Sequence, residues 1–283
     1  MDAASAVTRP ILVGAVAYDP KVVSIWEGFK TYFEKAAIEL DYVLYSNYDS
    51  LVNALLHEHI DVAWNSPLAW VHAQLRSRQS CQALVMRDTD RDLTSKIIIR
   101  KGAGIRTPAD LEGKTIAVGA IDSPQATLIP LEFLSKAGVV PGRNCRVVYH
   151  NVMVGKHGDH LGGEREAARA LHAGAVDAAC ILDGNYTLFV NEGTLDPGST
   201  EILASTPPYD HCNFTARNTL PSHVNESFSR TLLGMSLQDP VARPFMEMEG
   251  LTRWMPGRTS GYAQLEDAVR RGRMFDKAAA LAS

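Results

Sequence analysis

Apolar and polar positions along this chain predict β-strands and α-helices in turn. Residues 11–17 (ILVGAVA) form a short, continuously apolar run, which is typical of a strand buried in a parallel sheet. Residues 22–39 then place apolar side chains three and four positions apart, which predicts an amphipathic helix. The alternation continues with a strand at 41–45, a helix at 48–57, a strand at 60–64 and a helix opened by Ser66-Pro67.

A second alternating series follows the glycine-rich segment 102–104. Before it, residues 81–87 and 95–101 are predicted to form a strand pair. The second series consists of a capped short helix at 107–111, a strand at 115–120, a helix at 125–137, a strand at 145–150, a helix at 164–173 and a strand at 177–182. Pro207-Pro208 interrupts the chain, and further helices are predicted near 224–235 and 264–273.

Two such series, with a return of the chain at its end, predict an α/β protein with two lobes built on parallel-core sheets. We assign residues 1–102 and 208–283 to a discontinuous lobe one, and residues 103–207 to lobe two. Ligands of such sheets bind at the carboxyl ends of the strands, so a ligand cleft between the lobes is expected.

Composition narrows the class of protein. The 283 residues are 46% hydrophobic and 21% charged, which suits a globular protein with a substantial core. The formal net charge of -4 and the scattered basic residues argue against nucleic-acid binding. No apolar run reaches the length of a membrane-spanning helix, so no membrane insertion is expected. The spacing of the four cysteines suggests no zinc site.

The first ten residues, MDAASAVTRP, lack the basic start and long apolar region of a secretory signal. The chain as it stands is therefore predicted to be cytoplasmic. If a signal peptide was removed, the protein is periplasmic.

Several segments together resemble the phosphonate-binding protein family of ABC transporters. They are YDSLVNAL at 48–55, IDVAW at 60–64, SPLA at 66–69, the entry into lobe two at 107–120, DSPQAT at 122–127 and the helix-strand unit at 166–179. The resemblance covers roughly residues 10–270. It implies the type 2 periplasmic binding protein fold, a small anionic ligand that is phosphonate-like or carboxylate-like, closure of two lobes about a hinge, and an ABC permease as partner if the protein is exported.

Residues 122–127, called the anion loop below, are the first candidate binding element. A strand ends at Ala120 and a helix begins near Gln125, so backbone N–H groups and the hydroxyls of Ser123 and Thr127 suit an oxyanion. The alternative is that Ser123 is only the N-cap of its own helix. Pro124 and Gln125 depart from the family pattern, and Pro124 removes one donor amide.

A second candidate is the segment His157-Gly158-Asp159-His160. The resemblance implies a histidine near this position that bonds the anion, and both His157 and His160 remain candidates. A protonated histidine would supply positive charge to an anionic ligand. His157, His160, Asp183 and Asp210 could also converge on a metal, but an H-x-x-H pair in a glycine-rich loop lacks the fixed helical face of a zinc motif. We predict no metal and no cofactor.

The remaining candidates lie at strand ends and in the loops that follow them. The resemblance implies ligand contacts by Tyr48, Asn65 and the acidic residues Asp183 and Asp210. Tyr18 and Tyr48 could instead be half-buried core aromatics. The full predicted set is Tyr18, Tyr48, Asn65, Ser66, Ser95, Ser123, Gln125, Thr127, His157, His160, Asp183 and Asp210.

The leading functional hypothesis is a solute-binding protein that carries out no chemistry. The alternative is a cytoplasmic enzyme on the same fold, a decarboxylase or lyase that uses histidine and aspartate of the cleft. It is motivated by the lack of a signal segment and by the concentration of His and Asp. A cytoplasmic ligand sensor is the third hypothesis.

Overall fold

The computed structural model describes residues 9–275, which form two compact units. The first unit contains residues 9–65, 73–89 and 212–258, and the second contains residues 66–72, 90–211 and 259–275. The second unit thus includes residues 66–72, 90–102, 208–211 and 259–275, which were predicted to belong to lobe one. Within the described range, no helix is both long and apolar enough to cross a membrane.

The strands and helices are numbered along the described part of the chain. The strands are β1 (Ile11–Val16), β2 (Leu40–Tyr45), β3 (Val62–Asn65), β4 (Cys81–Arg87), β5 (Ser95–Arg100), β6 (Thr115–Val118), β7 (Arg146–Tyr149), β8 (Ala178–Leu182), β9 (Thr200–Ser205), β10 (Asn213–Arg217) and β11 (Trp254–Pro256). The helices are α1 (Lys21–Lys35), α2 (Tyr48–Leu56), α3 (Pro67–Ser77), α4 (Ile129–Lys136), α5 (Gly162–His172), α6 (Asp183–Asn191), α7 (Ser222–Leu233), α8 (Arg243–Met248) and α9 (Ala263–Gly272). Shorter helical turns span Asp88–Asp90, Pro108–Leu111, Pro124–Leu128 and Ser260–Tyr262.

The first unit is built on a six-stranded sheet in the order β11-β4-β10-β3-β1-β2. β1 runs parallel to β2 and β3, whereas β10 is antiparallel to β3 and β4. The predicted helical face of α1 is buried against this core, and Trp26 of α1 meets Phe214 of β10 edge-on with ring centroids 6.1 Å apart. The buried residues of α1 are Val22, Ile25, Trp26, Phe29 and Phe33.

The second unit is built on a five-stranded sheet in the order β7-β6-β8-β5-β9. β6 runs parallel to β7 and β8, and β5 is antiparallel to β8 and β9. The predicted pairing of β4 with β5 is therefore wrong, because the two strands belong to different sheets. A continuous apolar strand such as β5 suits any interior position of a sheet, so its local pattern does not specify its partner.

Two helical predictions need correction. The helix predicted at 125–137 is divided into a π-helical turn, Pro124–Leu128, and α4. Pro124 and Pro130 each remove a backbone donor, which interrupts a regular α-helical ladder. α6 was not predicted, because its opening residues Asp183-Gly184-Asn185 have low intrinsic helix propensity. β9, α8 and β11 were also missed.

Candidate functional site

The anion loop follows β6 in the second unit, and its hydroxyl groups are buried. Ser123 Oγ accepts a hydrogen bond from Ala126 N at 3.3 Å, so Ser123 is the N-cap of the π-helical turn. Thr127 Oγ1 donates to Ala120 O at 2.8 Å. Both hydroxyls therefore stabilise the loop itself, and their contact with a ligand stays a prediction.

The loop after β7 brings His157 to Ser66, which lies 91 residues earlier in the chain. His157 Nδ1 is 2.7 Å from Ser66 Oγ, and the same hydroxyl accepts from Ala69 N at 3.1 Å in the first turn of α3. Both side chains are buried. His157 has a φ of 51°, a left-handed conformation that costs a non-glycine residue roughly 1–3 kcal/mol and is concentrated at functional sites.

Gly158 joins this histidine loop to the anion loop. Its carbonyl oxygen accepts from Gln125 Nε2 at 2.8 Å. A Cβ at position 158 would overlap Ser123 Oγ and lie 2.6 Å from Gln125 Nε2, and φ is 79°. Only glycine therefore suits this position. Ser123, Gln125 and His157, three of the predicted site residues, are thus brought together in the second unit.

Ser95 supports the anion loop from β5. Its Oγ donates to Gln125 O and lies 2.8 Å from Tyr209 OH, and all three residues are buried. Burial raises the pKa of Tyr209 far above its usual range, so the phenol stays neutral and can donate a hydrogen bond. Ser95 therefore positions the backbone of the loop. Tyr209 was not predicted from the sequence.

Glu164 of α5 is a buried carboxylate that sequence analysis also missed. Its Oε2 accepts from Leu182 N and Asn185 Nδ2, both at 2.8 Å, and its Oε1 accepts from Gln125 Nε2 at 3.3 Å. Burial raises the pKa of Glu164, and these three donors oppose the rise. A signal was present in the sequence, because Glu164 shares a helical face with the apolar residues Ala167, Ala168 and Leu171.

Other predicted residues of the second unit lie in different surroundings. His160 is exposed, and its Nδ1 accepts from Gly162 N at 3.0 Å. Asp183 is exposed and pairs with Lys96 at 3.3 Å. Asp210 is buried and accepts from Asp92 N at 3.3 Å. Of the two candidate histidines, His157 is the one that contacts a predicted site residue.

Three predicted residues belong to the first unit. Tyr18 is half-buried after β1, and Tyr48 is buried at the start of α2. Asn65 ends β3 and is fully buried, yet neither Oδ1 nor Nδ2 has a hydrogen-bond partner among the described residues. Buried carboxamides are nearly always paired, so Asn65 is a candidate for a hydrogen bond with a ligand.

The chain matches known proteins along most of its length. Residues 14–262 match the profile of a family described as the periplasmic phosphonate substrate-binding protein of ABC transporters. This chain belongs to the phosphonate-binding family. The membership confirms the predicted resemblance and the predicted class, a solute-binding protein of an ABC transporter.

Relatives of this phosphonate-binding-family protein share only a low sequence identity with it. The probable ABC transporter phosphite binding protein PhnD1 of Prochlorococcus marinus (strain MIT 9301) is 22% identical over 247 residues, which cover 83% of this chain and 79% of PhnD1. The structure of PhnD1 in complex with methylphosphonate has a TM-score of 0.68 at 18% identity, covering 93% of this chain and 98% of PhnD1. The periplasmic aliphatic sulphonate binding protein SsuA of Escherichia coli has a TM-score of 0.60 at 15% identity, covering 94% of both chains. These structures confirm the predicted type 2 periplasmic binding protein fold.

Proposed function

We propose that this protein binds a small phosphorus oxyanion, a phosphonate or phosphite, and presents it to an ABC permease. The observation that carries the proposal is the buried Ser66–His157 pair, which is joined to the anion loop through Gly158 and Gln125. A hydroxyl, an imidazole and the start of a helical turn are groups that stabilise oxyanions in proteins. Family membership supports the class of ligand, as do the phosphite and methylphosphonate named for PhnD1.

Asn65 is the candidate contact in the first unit. A buried polar group without a partner costs about 1–3 kcal/mol, and a ligand oxygen that accepts from Asn65 Nδ2 would remove part of this cost. Tyr18 and Tyr48 stay predicted contacts of the same unit, with a hydroxyl as the binding group.

The family also suggests where the protein works. Its description as periplasmic supports the periplasm as the compartment and a membrane-embedded permease as the partner. Fractionation of cells that express the natural gene would test the compartment. Recovery of the protein with the cytoplasmic fraction would contradict it and would favour the sensor hypothesis.

The proposal is tested by thermal unfolding and calorimetric titration with methylphosphonate, phosphite, phosphate and ethanesulfonate. A ligand at about a hundred times its dissociation constant adds ~2.7 kcal/mol of stability, a shift that is readily measured. We expect the two phosphorus ligands named for PhnD1 to bind and to be recovered unchanged, as checked by phosphorus NMR. Absence of binding by all four would overturn the proposal, and recovery of an altered ligand would favour the decarboxylase or lyase alternative.

Two histidines in the same loop provide a matched test of the site. We expect His157→Asn to weaken binding of methylphosphonate by about 10-fold or more, because a hydrogen bond to a charged group contributes ~1.5–3 kcal/mol. Asparagine tolerates a left-handed φ, so the loop conformation is preserved. His160→Asn is the control and is expected to leave the affinity within about twofold. An equal loss of affinity in the two variants would show that His157 does not contact the ligand.

A further inference from the structure

Two segments of the second unit, residues 90–95 and 206–211, pair with each other and are called the crossover ribbon below. Leu93 and Tyr209 exchange two backbone hydrogen bonds, each 2.9 Å long. Ser95 O accepts from Thr206 N at 3.0 Å, and Ser95 N donates to Thr206 Oγ1 at the same distance. The chain passes between the two units at 89–90 and at 211–212, so the ribbon lies next to both passages in the sequence.

Tyr209 connects the crossover ribbon to the anion loop. Its OH lies 2.8 Å from Ser95 Oγ, and Ser95 Oγ also contacts the backbone oxygen of Gln125. Each of these three residues is at most 3% exposed. Water is therefore excluded from both contacts, and a buried hydrogen bond of this kind is costly to leave unmade.

Hydrogen-bond polarity gives this series of contacts a single direction. Gln125 O is a carbonyl oxygen and can only accept, so Ser95 Oγ must donate to it. A serine hydroxyl has one proton, so Ser95 Oγ is the acceptor in its contact with Tyr209 OH, and the phenol is the donor. The direction from Tyr209 to Gln125 thus follows from the carbonyl oxygen, whose role as acceptor is fixed.

The series continues through the peptide group between Gln125 and Ala126. A peptide group is planar, so a hydrogen bond that fixes its oxygen also fixes the direction of its N–H. The N–H of Ala126 donates to Ser123 Oγ at 3.3 Å. A hydroxyl that accepts such a bond still has its own proton to donate. Ser123 is therefore the donor at the end of the series.

We propose that Tyr209, acting through Ser95, positions Ser123 as a hydrogen-bond donor to a ligand oxyanion. Every donor in the series points from the crossover ribbon towards Ser123, and buried hydrogen bonds in such a series polarise one another. Donation by Ser123 to a negatively charged oxygen is strengthened as a result. The effect on ligand binding rests on the function proposed above, whereas the direction of the hydrogen bonds does not.

The side chain of Gln125 holds the same peptide group from the other side. Its Nε2 donates to Gly158 O at 2.8 Å and to Glu164 Oε1 at 3.3 Å. The backbone of Gln125 is held by Ser95 and its side chain by these two acceptors. A rotation of the peptide group would break the bond from Ser95 and turn the N–H of Ala126 away from Ser123.

The hydrogen-bond series is tested without ligand by NMR of the carbonyl carbon of Gln125, whose chemical shift reports the bond that its oxygen accepts. We expect Ser95→Ala to change this shift most, and Tyr209→Phe to change it in the same direction by less. Tyr186→Phe is the matched control, because it removes a hydroxyl that contacts Thr200 in the same unit, and it should leave the shift unchanged. A shift that does not respond to Tyr209→Phe would overturn the proposal.

The positioning role is tested by the affinity for methylphosphonate in Tyr209→Phe, Ser95→Ala and the double variant. We expect each single variant to bind about 3- to 10-fold more weakly, as for the loss of one hydrogen bond. Because Tyr209 acts through Ser95, the double variant should bind no more weakly than Ser95→Ala. Losses that multiply would contradict this route. Tyr186→Phe should bind within about twofold of the unmodified protein.

A Ser123→Ala background separates positioning from a general structural effect of Tyr209. If Tyr209 acts by directing the Ser123 hydroxyl, Tyr209→Phe should cause no further loss of methylphosphonate affinity once that hydroxyl is absent. The same fold-loss with and without Ser123 would show that Tyr209 only supports the fold. An unmodified protein that binds no methylphosphonate would instead refute the proposed function, and the carbonyl shift would still decide whether the series exists.

Discussion

Gly158 is a residue at which the anion loop and the histidine loop are in close contact. We predict that Gly158→Ala weakens ligand binding at least tenfold and destabilises the protein by about 1–3 kcal/mol, because the new methyl group meets Ser123 and Gln125 at a positive φ. Calorimetric titration and urea unfolding measure the two effects.

Gly184 provides the control for this substitution. It lies in the first turn of α6 with open space around it, so Gly184→Ala is expected to leave binding unchanged and to stabilise the helix by up to ~1 kcal/mol. A Gly158→Ala protein that behaves like Gly184→Ala would show that the two loops do not need their close contact.

Glu192 makes a pH-dependent contribution in the second unit. Hydrogen bonds from Arg165 and Thr194 lower the pKa of Glu192 to about 2. A carboxyl whose folded pKa is depressed stabilises the protein above its unfolded value, near 4.5, and loses that contribution as pH falls towards 2. We therefore expect the melting temperature of Glu192→Gln to lie below that of the unmodified protein at pH 7, by a difference that shrinks between pH 5 and pH 3. A difference that does not change with pH would contradict the assignment.

Individual residues were predictable where position alone suggests chemistry. Ser66, Ser123 and His157 follow strands, and the family resemblance marked the same places. Glu164 was not predicted, because a buried carboxylate is stable only through partners that are distant in the sequence. The contact between Glu164 and Gln125 illustrates this, since no local pattern connects the two residues.

At the scale of elements, an ion pair with a buried carboxylate of α4 holds α9 against α4. Glu132 of α4 is 3% exposed at its side chain. Arg271, the residue before the last one of α9, binds both carboxylate oxygens of Glu132 at 2.7 and 3.0 Å. We predict that Arg271→Ala destabilises the protein by about 1–2 kcal/mol in urea unfolding, a figure reduced from that of a fully buried pair because the arginine is 60% exposed.

Arg270 is the matched control for this link. It is exposed and adjacent to Arg271, so Arg270→Ala should change stability by less than about 0.5 kcal/mol. If the two alanine variants unfold at the same urea concentration, Glu132 does not need its guanidinium partner.

Helices and strands were predicted well where the hydrophobic periodicity is strong. They were predicted poorly where contacts with distant parts of the chain determine the structure. The apolar stripe of α1 and the run of β1 were sufficient to place both correctly. The π-helical turn Pro124–Leu128 was missed. Two prolines in a helical pattern indicate that the helix is interrupted, but the sequence does not specify which backbone conformation replaces it. The partner of β5 was missed because pairing in this sheet joins residues far apart in sequence.

For the whole molecule, all four thiols lie in the interior. Cys81 and Cys212 belong to the first unit, and Cys145 and Cys180 to the second. Burial raises the pKa of Cys180 to about 12 and also raises the pKa values of Cys81 and Cys145. Because the thiolate is the reactive form, we predict that a thiol reagent at pH 8 modifies none of the four in the native protein and all four in denaturant. Mass spectrometry identifies each modified cysteine, and rapid native labelling of Cys180 would contradict the burial.

The overall organisation was predictable from the sequence, while its boundaries were not. Alternating strands and helices indicated two α/β sheets, and the family profile confirms the class. The boundaries between the two units are harder to predict, because the amino-acid composition does not change consistently where the chain passes from one unit to the other. Residues 90–102 illustrate this, since they precede the glycine-rich segment that looked like the boundary.

The place of β5 in its sheet has a consequence for the newly made chain. β5 is synthesised before both of its neighbours, and the last of them, β9, ends about 100 residues later, which at ~5–20 residues per second is a delay of ~5–20 s on the ribosome. During that interval, the run Ile97-Ile98-Ile99 lacks one or both of its partner strands and is prone to aggregate with other chains. Lys96, Arg100 and Lys101 flank this run, and charges in such positions discourage aggregation while the later strands are still being made.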